Sequence, residues 1–144
     1  MSGQITLSSD LLQKAKQDIE GENFNFLVER LITIDRWQKS EAHIAIRQYK
    51  NYLYLVKKYS NQYQISPSGD IDKVWHEHIL HTEHYVDFCR KIFGIYLHHR
   101  PTSKKEKYPA AENTTQALYY KEFNEYMLPA RNSFFLSLFK WLNK

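Results

Sequence analysis

An all-α fold, a single-domain bundle of five to six helices, is what this sequence predicts, and three observations predict it. Apolar residues recur at helical spacing in every long segment, and none alternates as a half-buried strand would. Breakers are scarce, with 4 Gly and 4 Pro among 144 residues. Large rings are plentiful, with 11 Tyr, 8 Phe and 3 Trp to build an aromatic core. A chain of this length buries roughly two-thirds of its unfolded surface, enough to hold one core without staples. The expected domain is therefore residues 1–144.

Each element follows in turn. Ser8-Ser9-Asp10 offers N-caps to a first helix over residues 11–19, with Gly21 as its stop. A second helix is expected over residues 23–37, with Phe26, Leu27, Leu31 and Ile34 at helical spacing. Ser40 caps a longer third helix whose stripe is Ala45, Tyr49, Tyr52, Val56 and Tyr59. Ile65-Ser66-Pro67-Ser68-Gly69-Asp70 is a loop, punctuated by Pro and Gly. The next helix reads as one rod over residues 71–93, ended by Gly94. His98-His99-Arg100-Pro101 opens a polar connection. Asn113-Thr114-Thr115 caps a helix over residues 116–127, and Pro129 breaks it. Asn132-Ser133 begins a last amphipathic helix carrying Phe134, Phe135, Leu138, Phe139 and Leu142.

Charge narrows the function classes. The net charge is +4, from 20 basic and 16 acidic residues that are interspersed. The densest basic patch is only Lys104-Lys105-Glu106-Lys107. A nucleic-acid binder shows a basic stripe or a known motif, and neither is present. The single Cys89 forms no internal disulfide, so no oxidising compartment is implied. The first residues lack the charged and apolar regions of a secretion signal, and no apolar run approaches the ~20 residues of a membrane span. The expectation is a cytoplasmic protein, with export by a signal-less route left open.

Six of the seven histidines and the cysteine lie between His76 and His99. On a wheel of residues 71–93, Ile71, Val74, Trp75, His78, Thr82, Tyr85, Cys89, Ile92 and Phe93 share one face. Leu80 and Phe88 fall on its flanks, which implies a helix covered on several sides and central to the bundle. His78 and Cys89 then read as core residues, about 16 Å apart along the rod at ~1.5 Å per residue. Nucleophilic use of Cys89 would need His76 or His99 to reach it. Asp72 precedes His76 by one turn, where side chains meet. A carboxylate there fixes an imidazole tautomer, which suits a metal ligand, a general base or a structural hydrogen bond. His98 and His99 would complete the group if the chain folds back. Glu77, His81 and His84 share a third face that reads as solvated. The His-Glu-x-x-His zinc pattern is absent, because Leu80 stands in the place of its second histidine.

At Phe26-Leu27, Ile34-Asp35-Arg36-Trp37, Ile46-x-x-Tyr49 and Asp72-x-x-Trp75-His76-x-His78-x-Leu80-x-x-x-x-Tyr85-x-x-x-Cys89 with Gly94, the chain resembles the glycine-rich domain-containing protein-like family. The resemblance covers residues 24–127. The short, stand-alone bacterial-type members are similar also at Ile79-Leu80, Thr82, Phe88-Cys89, Phe93-Gly94 and His98-His99-x-Pro101. The resemblance implies a domain of unknown function, with no activity to transfer. It marks Asp72, Trp75, His76, Cys89, His98 and His99. It leaves His81 and His84 outside its pattern, and the place of His78 is often aromatic in the short relatives.

Two functional expectations result. The first is a protein-interaction module with a polar His/Asp motif in its core and an unidentified protein partner. The stripe Phe134, Phe135, Leu138, Phe139 and Leu142 would dock on its own bundle, on a partner, or on a membrane surface. The second is a divalent transition-metal site, such as Zn²⁺, built from His76 with His98 or His99. Asp72 or Cys89 would be a further ligand or a supporting group, and a metal-bound water could serve hydrolysis. No catalytic constellation is complete in the sequence, which points away from an enzyme. Nucleic-acid binding is the weakest alternative.

Overall fold

The computed structural model describes residues 8–100, 109–128 and 142, and among them lie six long helices and no strand. They are α1 (Ser9–Glu20), α2 (Asn25–Thr33), α3 (Lys39–Tyr59), α4 (Gly69–Leu80), α5 (Thr82–Phe93) and α6 (Pro109–Phe123). The all-α bundle is as expected. Among the described residues, no helix is long and apolar enough to cross a membrane.

α3 is the hub and touches α1, α2, α4 and α6. Its expected stripe is buried throughout, and so are the consecutive residues Tyr52, Leu53, Tyr54, Leu55 and Val56. Five buried positions in a row span more than a full turn, so neighbours cover α3 on every side. α4 lies against α3, α2 and α5.

Local chemistry sets the ends. The Ser8 hydroxyl accepts from the Leu11 N–H at 3.3 Å and opens α1. α2 stops at Thr33 rather than continuing to residue 37. Arg36 turns left-handed at φ 61°, and the Trp37 N–H reaches back to the Leu31 carbonyl at 2.9 Å, burying the indole. Ile34, expected on the core stripe, is exposed. α6 starts and ends earlier than expected. Pro109 opens it, at the position where a missing N–H costs nothing. Thr114 and Thr115 lie inside it and donate to the Ala110 and Ala111 carbonyls at 2.9 and 2.8 Å. Asn124, at φ 54°, follows its end.

The main departure is in the histidine-rich segment, which is two helices and not one rod. At His81 the backbone leaves the helical region (φ −86°, ψ 69°). Its N–H bonds the His78 carbonyl at 3.0 Å, and its ring Nδ1 sits 2.8 Å from the Glu77 carbonyl oxygen. The imidazole thus takes the carbonyl that the helical backbone N–H would have used, and the ladder breaks there. Leu80, expected on a covered flank, is 69% exposed at this break, whereas Phe88 is buried. Gly94 ends α5 in the left-handed conformation (φ 73°), as the sequence suggests, and residues 95–100 fold back along α4.

Two glutamines pin the chain beyond α6. Buried Gln48 accepts from the Leu128 N–H at 3.0 Å and donates to the Tyr126 carbonyl at 3.4 Å. Gln116 accepts from the Met127 N–H and donates to its carbonyl, at 2.9 and 3.0 Å. Pro101 and the expected C-terminal helix lie outside the described residues, except Leu142, which is exposed.

Candidate functional site

The break at His81 and the reversal after Gly94 sort the histidines into two groups. The outer group forms where residues 95–100 meet α4. The Trp75 Nε1–H donates to the Tyr85 hydroxyl at 2.8 Å, and that hydroxyl donates to the Leu97 carbonyl at 2.5 Å. This anchor places the His99 ring flat on the Trp75 indole, with centroids 4.1 Å apart and planes 26° apart.

His99 Nε2 then stands 2.8 Å from Asp72 Oδ1 and 2.8 Å from His76 Nε2. His76 Nε2 lies 3.7 Å from Asp72 Oδ2, one helical turn away. One donor atom from each residue falls within 4.8 Å of the others. His99 is nearly covered, its side chain 9% exposed, while His76 opens to solvent. Burial pushes the Asp72 carboxyl up, but the His99 hydrogen bond and the two imidazoles outweigh it and hold the group below the usual carboxylate range.

This geometry overcommits one nitrogen. The single in-plane site of His99 Nε2 reaches both Asp72 and His76 only as a split hydrogen bond, weaker to each, and cannot donate to one while accepting from the other. A cation between the three atoms satisfies them together, and two imidazoles with a carboxylate suit Zn²⁺ and its neighbours.

The group opens into a groove of about 510 Å³ lined also by Tyr52, Gln64, Trp75, His98, Arg100 and Glu112. His98 lines this groove with its ring against Tyr96, 4.7 Å between centroids. Cys89 is fully buried beside Tyr85 and the Leu97 backbone. Burial pushes its thiol up despite those contacts, so it stays a neutral core group apart from the three converging atoms. Thr82 is exposed at the start of α5, and Tyr85 is the buried link in the anchor.

The inner group is linear. Tyr49 Oη lies 2.7 Å from His78 Nδ1, His78 Nε2 lies 2.8 Å from His84 Nδ1, and His84 Nε2 lies 2.9 Å from Glu22 Oε1. A carboxylate at the end fixes the hydrogens along the chain. Glu22 can only accept, so His84 Nε2 donates; in the tautomer that carries its one proton there, His84 accepts at Nδ1 from His78 Nε2, and His78 Nδ1 accepts from the Tyr49 hydroxyl. Every nitrogen has one partner.

Phe24, Tyr85 and Phe88 pack around the His78 ring at centroid distances of 4.9, 4.9 and 5.2 Å. Burial first, then the neighbouring His84 and His81, drive the His78 pKa down to about 3, so the ring is neutral. A continuous rod puts His84 on a solvated face and leaves Glu22 unmarked, whereas the structure joins both to His78. The available signal was Thr82-Glu83, a helix-opening pair placed midway through a run twice the usual helix length of about 11–12 residues.

The model of the UCP032817-like family matches residues 16–141. "Glycine-rich domain-containing protein 2" of Arabidopsis thaliana is 32% identical over 102 residues, which is 60% of this chain and 13% of that protein. "Glycine-rich domain-containing protein 1" of the same plant is 34% identical over 77 residues, 46% of this chain and 9% of that protein. The chain therefore spans only a small part of these relatives. No solved structure matches it. With the family model running through α1 to α6, this chain belongs to the UCP032817-like family, among the glycine-rich domain-containing protein-like proteins.

Proposed function

We propose that this domain binds one divalent transition-metal ion, with Zn²⁺ the best-suited, through Asp72, His76 and His99. The observation that supports it is the overcommitted His99 Nε2, 2.8 Å from both the carboxylate oxygen and the His76 nitrogen. Metal–nitrogen bonds of ~2.0–2.1 Å at tetrahedral angles set ligand atoms about 3.3 Å apart. The two His99 Nε2 separations of 2.8 Å fall below that spacing and the 3.7 Å from His76 Nε2 to the second carboxylate oxygen lies above it, so loading needs only small side-chain shifts.

Trp75 holds His99 from behind, and three protein ligands leave a coordination position facing the groove, the arrangement of a reactive or ligand-exchanging ion rather than a closed structural one. The metal reading is favoured over the interaction module because one donor atom each from Asp72, His76 and His99 converges within 4.8 Å.

Zn²⁺ titration by calorimetry tests it, on tag-free protein stripped with chelator. The expected result is one equivalent bound, with affinity reduced roughly 100-fold or more in His76→Ala and His99→Ala, since even groups that only support a ligand are worth 10–100-fold. Equal binding by the wild type and His76→Ala would overturn it.

A further inference from the structure

The groove beside the three ligands carries a charge pattern that selects what binds there. An ion of charge +2 held by one carboxylate and two neutral imidazoles keeps a net positive charge. Arg100 adds a guanidinium to the same lining, and among the described residues it has no ion-pair partner within 4.0 Å. Among the described residues, Glu112, from α6, is the one further acidic group that lines the groove. The loaded groove is therefore net positive at its metal end. Its volume of about 510 Å³ is in the range that holds a small molecule.

The Trp75 ring faces are already used. Trp75 is covered by His99 on one side and packs against Tyr52, 5.6 Å between centroids. Little ring face is left for stacking, and the free chemistry is a Lewis-acid position, a planar fork of N–H donors and the Gln64 amide.

Resting on the metal reading above, we propose that this groove is an oxyanion site. A small phosphate- or carboxylate-bearing ligand places one oxygen on the metal, in the position the protein leaves open, and a second on the Arg100 guanidinium. Guanidinium recognises both anions through paired hydrogen bonds. Glu112 across the lining opposes the same anion and limits how tightly it is held.

Cobalt(II) in place of zinc gives a visible spectrum that reports exchange of the open ligand. The cobalt-loaded protein is titrated with methylphosphonate and, separately, with acetate. The expected result is a saturable spectral change; the anion that produces it at lower concentration identifies the headgroup. Arg100→Gln weakens that anion by about tenfold or more, the worth of a charged hydrogen bond, with cobalt affinity unchanged. Glu112→Gln tightens it.

Cobalt bound stoichiometrically with a spectrum that neither anion moves would overturn the oxyanion site and leave the metal reading standing. So would a response to anion that is equal in wild type and Arg100→Gln. Failure to bind cobalt at all would overturn both.

Discussion

His76 and His78 are two residues apart on one helix and belong to opposite kinds of chemistry. A step of two residues turns a helix by about 200°, so one ring points outward over Asp72 and the other into the core. In the outer group three donor atoms converge on one point and a nitrogen has one partner too many. In the inner group the atoms line up and each nitrogen has one partner. Convergence with a surplus of lone pairs marks a place for a cation. A satisfied line marks structure. Histidine count distinguishes neither; the partner of each ring nitrogen does.

The sharpest way to break this contrast is to remove His78. The variant His78→Ala opens a cavity among Phe24, Tyr49, Tyr85 and Phe88 and orphans the Tyr49 hydroxyl and His84 Nδ1. The expected loss is about 3–5 kcal/mol in urea unfolding, the range for deleting a large buried ring. His78→Phe keeps most of the volume and loses only the hydrogen bonds, for about 1–3 kcal/mol. Equal losses in the two variants would show that the polar chain, not the packing, carries the effect.

Acid separates the groups next. His78 is folded-state neutral down to about 3, while an unfolded histidine titrates near 6.5. Below 6.5 the unfolded chain binds a proton that the folded one refuses, so stability falls as pH drops from about 6.5 toward 3 and is unaffected by this ring above 6.5. The slope is at most about 1.4 kcal/mol per pH unit. His78→Phe flattens it. Asp72 acts with the same sign in a lower window: its depressed pKa stabilises the fold above 3.8, and that contribution is lost as pH falls below it. Part-exposed as it is, solvent screens the effect. A wild-type stability that is level between pH 6.5 and 4.5 would contradict the neutral, buried assignment of His78.

Much of this is legible in the sequence. The caps at Ser8 and Gly94 and the buried stripe of α3 follow from residue type and period. Asp72 and His76 share a helical face by spacing alone, and His98 or His99 joins them if the chain folds back. What decides that condition is the Trp75–Tyr85–Leu97 anchor, a contact between residues that no local period relates. The inner chain was illegible for a different reason. Its existence depends on one imidazole capturing the Glu77 carbonyl, which resets the rotation of every residue after His81. A wheel drawn through that point puts His84 on solvent. The bundle puts it on His78, its side chain 30% exposed. Thr114 and Thr115 misled in the same way, since hydroxyls that could cap a helix instead bond carbonyls within it.

Metal addition is the next largest effect, and it is confined to one group. At free Zn²⁺ 100-fold above its dissociation constant, ligand binding stabilises the folded state by about 2.7 kcal/mol. The melting temperature should rise on adding zinc and return on adding chelator. His84→Ala, which cuts the inner chain, should keep that rise on a lower baseline. His99→Ala should lose it. A zinc response abolished by His84→Ala and retained in His99→Ala would assign the ion to the wrong group.

The smallest effect is the most discriminating. In metal-free protein, His76→Ala removes a side chain that is 46% exposed and that, among the described residues, meets His99 at 2.8 Å and Asp72 at 3.7 Å. Such substitutions stay within about 0.5 kcal/mol. It also relieves His99 Nε2 of its second claimant, leaving one undivided hydrogen bond to Asp72. His99→Ala, by contrast, uncovers the Trp75 ring and takes the only imidazole within 2.8 Å away from Asp72, for about 1–2 kcal/mol. His76→Ala should therefore be near neutral for the empty protein and disabling for the loaded one. A structural histidine cannot show that split, because the energy it contributes is present whether or not an ion is. If His76→Ala destabilised the metal-free fold as much as His99→Ala does, the outer group would be a second structural cluster, and the contrast with the inner one would close.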